Sequence, residues 1–221
     1  MIRSLLLAAA TLALAAPAIL AAAQSDPQAR ADLERLRAKY EQAGTLDARV
    51  ALEIQFPEQP AEVQEGRIRQ DGDRYRVEFD RQVVISDGST VWMYLPDNQE
   101  VQVYDAEDGS ASDGFMRPQD FLTIYDNDGF EYALAGEVAE GGTTLRQIEF
   151  KPTDRGSEFA KVRMTYDPRS LEVRRVKVFN KDGSRFTLSL TSLNSGAALP
   201  AALFRFDETA HPGVMVEDMR L

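Results

Sequence analysis

The chain has 221 residues, with 25 lysine and arginine residues against 36 aspartate and glutamate residues, and so carries a formal charge of −11. Such an acidic protein lacks the basic surface that sequence-independent binding of nucleic acid requires. The chain contains no cysteine and a single histidine, His211. These counts exclude disulfides and cysteine nucleophiles, and they argue against a Ser-His-Asp triad or a histidine metal site. We therefore expect neither an enzyme of the common hydrolytic classes nor a metal or cofactor.

The first 23 residues predict a secretory signal peptide. Arg3 provides a positive start, residues 5–20 form an apolar run, and three alanines precede Gln24. A retained membrane anchor is the alternative, but the apolar run is short for a bilayer and no charged stop-transfer flank follows it. Cleavage after Ala23 would leave residues 24–221 as one exported domain. The net negative charge of this domain would keep it off anionic membrane surfaces, or would simply aid its solubility.

An amphipathic helix is predicted over residues 27–43. Ser25 and Asp26 offer an N-terminal cap, and Pro27 suits the first helical turn. Apolar residues then recur at helical spacing up to Gly44, which is a typical C-terminal stop.

After this helix the apolar period changes from helical to two. Val50, Leu52 and Ile54 alternate with polar or small residues, as expected for a strand with one buried face. Similar runs, separated by turns rich in Asp, Gly and Asn, cover residues 63–69, 74–79, 82–86, 90–95, 99–104, 130–135, 144–150, 160–166, 171–179 and 184–192. About eleven strands joined by hairpin-sized turns predict a mainly β protein of α+β type, with one large antiparallel sheet that is curled or closed.

One segment interrupts the strands. Residues 105–114 form an acidic loop rich in Gly and Ser, and residues 115–125 follow with a proline suited to a first helical turn. Phe121, Leu122 and Tyr125 fall at positions i, i+1 and i+4, which predicts a short apolar helix that lies across the sheet.

The strand over residues 90–95 is apolar on both faces. Trp92 and Tyr94 point to one side, whereas Val91, Met93 and Leu95 point to the other. One of these faces can line a cavity, but a strand buried in a two-layer core has the same pattern. From the residues alone, both interpretations stay open.

Three stretches resemble a known family, that of the LolA carriers of outer-membrane lipoproteins. Residues 86–96, SDGSTVWMYLP, resemble the family's S-D-G turn and the W-x-Y-x-P strand after it. Residues 118–132 are similar to its lid helices and the following strand. Residues 204–216 are similar to its terminal F-x-F-x-x-P-x-G-V-x-V, with one additional residue. The resemblance runs through residues 24–216 in the family's order.

The resemblance implies an incomplete antiparallel barrel with a helical lid, whose hydrophobic cavity receives the acyl chains of lipoproteins. It implies a monomeric periplasmic carrier without catalytic activity, which takes lipoproteins released by an inner-membrane ABC transporter of the LolCDE type and delivers them to an outer-membrane receptor of the LolB type, if one is present. The alternative is a lipid-sensing or other lipid-binding regulatory module with the same fold. An enzyme would need an acid–base pair or a nucleophile in the cavity, and the sequence offers only scattered carboxylates in turns.

Strand alternation and the family-like stretches together supply the candidate residues for contact with lipid. These are Leu52, Ile54, Tyr75, Val77, Trp92, Tyr94, Phe121, Leu122, Tyr125, Phe186 and Leu188. The sequence departs from the family at one point, because the K-R-P-x-x-F strand whose arginine holds the lid closed is absent here. Arg67, Arg69 or Arg76 could replace that arginine, although each also fits a solvated position on a strand.

Overall fold

A computed structural model describes residues 26–106 and 129–220. The predicted signal peptide, residues 1–23, lies outside these ranges. The predicted lid helix, with Phe121, Leu122 and Tyr125, also lies outside them.

One α-helix and twelve strands make up the regular structure of the described residues. In chain order they are α1 (Pro27–Ala43), β1 (Thr45–Gln55), β2 (Glu62–Asp71), β3 (Arg74–Phe79), β4 (Gln82–Ser86), β5 (Thr90–Leu95), β6 (Glu100–Asp105), β7 (Phe130–Glu140), β8 (Thr143–Pro152), β9 (Phe159–Asp167), β10 (Glu172–Asn180), β11 (Arg185–Ser195) and β12 (Met215–Asp218). Short 3-10 helices span Pro96–Asn98, Ala201–Phe204 and Glu208–Ala210. The helix predicted over residues 27–43 and all of the predicted strands are present.

All twelve strands belong to one sheet, in the order β12-β6-β5-β4-β3-β2-β1-β11-β10-β9-β8-β7. The pairs from β1 to β11 are antiparallel, as predicted. Strand β12 is an addition to the prediction, and it pairs with β6 in parallel. Because the edge strands β12 and β7 do not pair with each other, the sheet is open. The mainly β fold class predicted from the sequence is therefore confirmed.

Asp26 caps the N-terminus of helix α1 and also links the helix to the sheet. The Asp26 carboxylate accepts hydrogen bonds from the backbone N–H groups of Gln28 (2.8 Å) and Ala29 (3.4 Å), and its second oxygen accepts one from Leu134 on β7 (3.2 Å). The bond from Leu134 and then that from Gln28 lower the pKa of Asp26. The helix ends at Gly44, whose φ of 71° is unfavourable for residues with a side chain.

A buried carboxylate fixes α1 to the sheet. Asp32 is 1% exposed, and one of its oxygens accepts hydrogen bonds from the Tyr166 hydroxyl (2.6 Å) and from Arg146 Nη1 (2.6 Å). Burial by itself raises the pKa of Asp32, but the bonds from Tyr166 and Arg146 outweigh it, so the pKa lies below its ordinary value. Burial, followed by the hydrogen bond to Asp32, raises the pKa of Tyr166.

Two apolar clusters lie on the face of the sheet that carries α1, which we call the inner face. The first cluster joins Leu33 and Leu36 of α1 to Ile148, Phe150 and other residues of β7–β10. The second cluster lies on β3, β4 and β5, and its buried members are Tyr75, Val77, Val84 and Val91. The strand register places the two clusters on the same face, with β2, β1 and β11 between them.

Residues 196–214, which we call the C-terminal segment, connect β11 to β12. This segment covers part of the opposite face of the sheet, which we call the outer face. Phe204 is fully buried, and the Arg74 guanidinium lies 5.2 Å from the centre of its ring. Arg76 Nη1 donates a hydrogen bond to the backbone carbonyl of Leu203 (3.3 Å). The segment therefore completes a second layer over β3–β6 before it turns back to form β12 at the edge.

We predict that Asp32→Ala lowers the free energy of unfolding by about 3 kcal/mol, because it leaves Arg146 and the buried Tyr166 without their acceptor. A carboxylate with a lowered pKa stabilises the fold above its unfolded pKa, and this stabilisation is lost as the pH falls through the folded pKa. Asp32→Asn should therefore lose less stability than the wild type between about pH 5 and pH 3. Denaturant unfolding at several pH values measures both effects.

Glu34→Gln is a matched control on the same helix, because Glu34 forms an exposed ion pair with Arg30. It should cost less than about 1 kcal/mol. Equal losses for Glu34→Gln and Asp32→Ala would contradict the assigned role of Asp32.

Candidate functional site

A strip of partly exposed apolar side chains crosses the inner face between the two clusters. It consists of Leu52, Ile54, Phe186, Leu188 and Leu190, and we call it the central strip. Leu52 lies directly opposite Leu188, and Ile54 opposite Phe186, on the paired strands β1 and β11. All five side chains are half-buried, and none belongs to either cluster. The strip therefore offers apolar surface that α1 does not cover.

The apolar surface continues at one end of the central strip. Phe56, which follows β1, is 45% exposed, and its ring meets that of Phe186 edge-on, with the ring centres 6.3 Å apart. Towards β2 the inner face becomes polar, because Leu52 and Ile54 lie opposite Gln64 and Glu62. The strip is thus bounded by apolar clusters on two sides and by a polar margin at one corner.

A close contact joins β2 to the second cluster. Gly66 lies opposite Phe79, and a Cβ atom on Gly66 would be 2.4 Å from the Phe79 ring and 2.7 Å from the Glu78 carbonyl oxygen. The ring of Phe79 can lie across β2 only because residue 66 has no side chain. This contact extends the apolar inner face from β3 towards β1.

The structure brings six of the candidate lipid-contacting residues onto one face. Leu52, Ile54, Phe186 and Leu188 belong to the central strip, whereas Tyr75 and Val77 are buried in the second cluster. The candidates omit Leu190 of the strip, although it continues the same alternation along β11.

Trp92 and Tyr94 lie on the outer face, away from the other six. They pair with Ile85 and Val83 of β4. Tyr94 packs against the ring of Phe206 (5.3 Å between centres) in the C-terminal segment. Trp92 and Tyr94 therefore cannot line the same cavity as the central strip. Tyr94 fits the alternative interpretation of strand β5, in which its side chains are buried in a core between two layers.

His211 lies beside Tyr94, and its ring stacks on that of Phe206 with centres 5.0 Å apart. The residues around it enclose a cavity of about 210 Å³ between β3–β5 and the C-terminal segment. His211 directly follows the 3-10 helix Glu208–Ala210, so it is a turn residue that packs between aromatic rings.

The three arginines considered for holding a lid all lie on the outer face. Arg67 forms a two-bond ion pair with Asp47 (2.8 and 2.6 Å). Arg69 and Arg76 both bind the carboxylate of Glu78. Burial raises the pKa of Glu78, but the hydrogen bond and charge of Arg76, with those of Arg69, bring it below its ordinary value. None of these arginines reaches the inner face.

The S-D-G sequence forms the hairpin turn between β4 and β5. One oxygen of Asp87 accepts hydrogen bonds from the N–H groups of Ser89 (3.0 Å) and Thr90 (2.9 Å). Gly88 has a φ of 95°, a conformation that favours glycine. The motif thus has the structural role predicted for it.

The described ranges contain no group of three or more His, Asp or Glu side chains that could hold a metal ion. Within the same ranges, no helix is both long enough and apolar enough to cross a bilayer.

Comparison with known proteins identifies the family. A sequence model described as "Outer membrane lipoprotein carrier protein LolA" matches residues 70–207, which is more than half of the chain. The chain therefore belongs to the LolA family. Helix α1, strand β1 and the edge strand β12 lie outside the matched range.

Individual relatives are more distant. The outer-membrane lipoprotein carrier protein of Dechloromonas aromatica (strain RCB) is 30% identical over 138 residues, which span 62% of this chain and 62% of that protein. A LolA superfamily protein from Nitrosomonas europaea is 13% identical, with a TM-score of 0.44 over 81% of this chain and 98% of its own. The Mycobacterium tuberculosis lipoprotein LppX is 11% identical, with a TM-score of 0.48 over 80% of this chain and 100% of its own.

We predict that Gly66→Ala destabilises the fold by about 1–3 kcal/mol, because the new methyl group would collide with the Phe79 ring and with backbone. Gln64→Ala, two residues away on the same face, removes only a partly exposed side chain and should change stability by less than about 0.5 kcal/mol. Thermal unfolding of both variants tests this. A neutral Gly66→Ala would show that the ring moves aside without cost.

Proposed function

We propose that the protein is a periplasmic carrier that binds the acyl chains of lipoproteins on its inner face. The observation that supports this most directly is the central strip, an apolar surface in the middle of the sheet that neither core cluster covers. The family to which the chain belongs is described as one of outer-membrane lipoprotein carriers.

The physical need for such a surface follows from the cargo. Each methylene group of an acyl chain costs about 0.8 kcal/mol when it is moved from an apolar medium to water. A lipoprotein therefore cannot cross an aqueous compartment unless apolar protein surface replaces the bilayer. Covering the half-buried side chains of the central strip would contribute free energy from the protein side as well.

The two clusters beside the strip suit it to reversible binding. Each cluster is closed by packing within the protein, so the frame of the site exists before a ligand arrives. The side chains of the strip are half-buried and partly open to solvent. A bound acyl chain therefore keeps a route to a receptor, which favours release over permanent retention. Phe121, Leu122 and Tyr125 of the predicted lid would cover the strip in the loaded state.

The inner face around the strip does not suggest catalysis. Glu62 lies opposite Ile54, where it is exposed and accepts a hydrogen bond from Gln64 (2.9 Å). Among the residues that the register of β1, β2 and β11 places on this face, Glu62 is the one carboxylate. One solvated carboxylate by itself does not make an acid–base pair. We therefore assign binding and not turnover to this face.

The partners follow from this role. Lipoproteins with acyl chains are the cargo, an ABC transporter of the LolCDE type would supply them at the inner membrane, and a LolB-type receptor would accept them at the outer membrane. The predicted signal peptide, residues 1–23, would bring the protein to the periplasm.

We predict that Leu188→Glu abolishes the release of lipoprotein from spheroplasts of the source bacterium, because it places a charge in the central strip. The measurement is the amount of acylated lipoprotein that appears in the supernatant as a one-to-one complex with the added protein. Ser189→Glu is the matched control, since Ser189 is the next residue on β11 and faces the opposite side. It should release lipoprotein as the wild type does.

Leu52→Gln provides a milder change in the same strip, and unfolding curves identify any variant that fails to fold. Equal activity of folded Leu188→Glu and the wild type would contradict the proposed site. If the wild-type protein binds a fluorescent fatty acid but releases no lipoprotein, the lipid-sensing alternative would replace the carrier.

A further inference from the structure

The outer face of β8–β11 carries a cluster of positive charge on this acidic chain. The cluster, which we call the basic patch, consists of Lys151, Lys161, Arg163, Lys177 and Arg185 around the ring of Phe179. The register places Lys161 and Arg185 on either side of Phe179, and Arg163 directly opposite Lys177. The patch lies on the side of the sheet opposite the central strip.

The charges of the patch are poorly balanced by the protein. One oxygen of Glu149 binds both Lys161 and Arg163, each at 2.8 Å, and its other oxygen lies 3.9 Å from Lys151. Among the described residues, Lys177 and Arg185 form no ion pair. Three of the five cations therefore share the Glu149 carboxylate. The register also places Glu131 directly opposite Lys151 and Glu53 opposite Thr187, so the patch keeps an excess of positive charge in a chain whose formal charge is −11.

This arrangement works against the stability of the sheet. Like charges directly opposite each other on paired strands repel, as Arg163 and Lys177 do here. The ring of Phe179 holds three cations at 5.1–5.5 Å from its centre, Lys161, Arg163 and Lys177. A cation–π contact positions these cations but does not neutralise them. The repulsion would be relieved by an anionic surface that faces the patch.

We propose that the basic patch docks the protein on the surface of an anionic phospholipid bilayer. Lysine, a major component of the patch, is depleted in the core of protein–protein interfaces but is well suited to electrostatic adsorption on lipid headgroups. Val63 lies in the same row of the outer face, beyond Glu53 and Thr187, and is 59% exposed. It lies three strands from Lys177, about 14 Å away at the usual strand spacing, with Glu53 between them. Val63 therefore adds a peripheral apolar contact, and the charges of the patch carry the attachment.

The net charge of the protein limits how strong this contact can be. Acidic residues elsewhere on the chain are repelled by the same membrane, so attachment requires the patch to face the bilayer within about one Debye length, ~10 Å at 0.1 M salt. Docking would therefore orient the molecule, with the outer face towards the membrane and the central strip away from it. This inference does not depend on the carriage of lipoproteins.

The test is cosedimentation of the mature full-length chain with vesicles that contain no lipoprotein. One set is made of phosphatidylglycerol with phosphatidylcholine, and the other of phosphatidylcholine alone. At low ionic strength we expect a preference for the anionic vesicles that disappears when the Debye length is reduced to about 3 Å by 1 M salt. The double variant Lys177→Glu with Arg185→Glu should lower the partition coefficient at least tenfold.

A variant with the same change in net charge provides the control. Arg30→Glu with Arg169→Glu alters an exposed site on α1 and an exposed turn between β9 and β10, and it should change the partition coefficient by less than twofold. Lys177→Glu replaces a like-charge pair with Arg163 by a pair of opposite charges, so we expect the double variant to fold. Thermal unfolding tests this expectation.

Two results would overturn the proposal. The first is equal binding to both kinds of vesicle, or none, which would leave an acidic protein surface as the partner of the patch. The second is an equal loss of binding in the control variant, which would show that only net charge matters.

Discussion

The structure depends on the alternation of side chains along the strands of one sheet. Because successive residues point to opposite faces, each strand contributes alternate side chains to the inner and outer faces. The outer face is charged over β8–β11 and is covered by the C-terminal segment over β3–β6. Leu188 and Ser189 are neighbours in the chain, yet one lies in the central strip and the other faces the opposite side. A shift of one residue in the pairing of β1 with β11 would reverse both surfaces.

Helix α1 decides how much of the inner face remains available. The bonds from Tyr166 and Arg146 to the buried Asp32 fix the helix over β7–β10, where it closes the first cluster. At the other end of the sheet, the second cluster consists of side chains from β3–β5 packed on one another, and no helix of the described residues belongs to it. The strip residues of β1 and β11, which lie between the clusters, belong to neither of them. The central strip therefore results from where α1 is anchored as much as from the strip's own residues.

The two faces serve different kinds of contact under the proposals made above. The inner face is apolar and suits acyl chains, whereas the basic patch on the outer face suits anionic headgroups. A molecule that docks by one face and loads by the other can approach a membrane without burying its binding surface in it. The lipoprotein release assay and the vesicle assay address these two contacts separately.

Much of this organisation was predictable from the sequence by itself, because it is local. The cap at Asp26 and the apolar spacing that follows it determine α1, and alternation determines which residues of a strand share a face. Alternation does not determine which face of the sheet is covered by other elements. The sequence therefore could not show that Trp92 and Tyr94 lie on a different face from Leu188, because that follows from the packing of the C-terminal segment on β3–β6. The partner of β12 was likewise decided only by the tertiary structure. Strand β12 pairs with β6, more than a hundred residues earlier in the chain, and no local sequence pattern predicts a contact between segments so far apart.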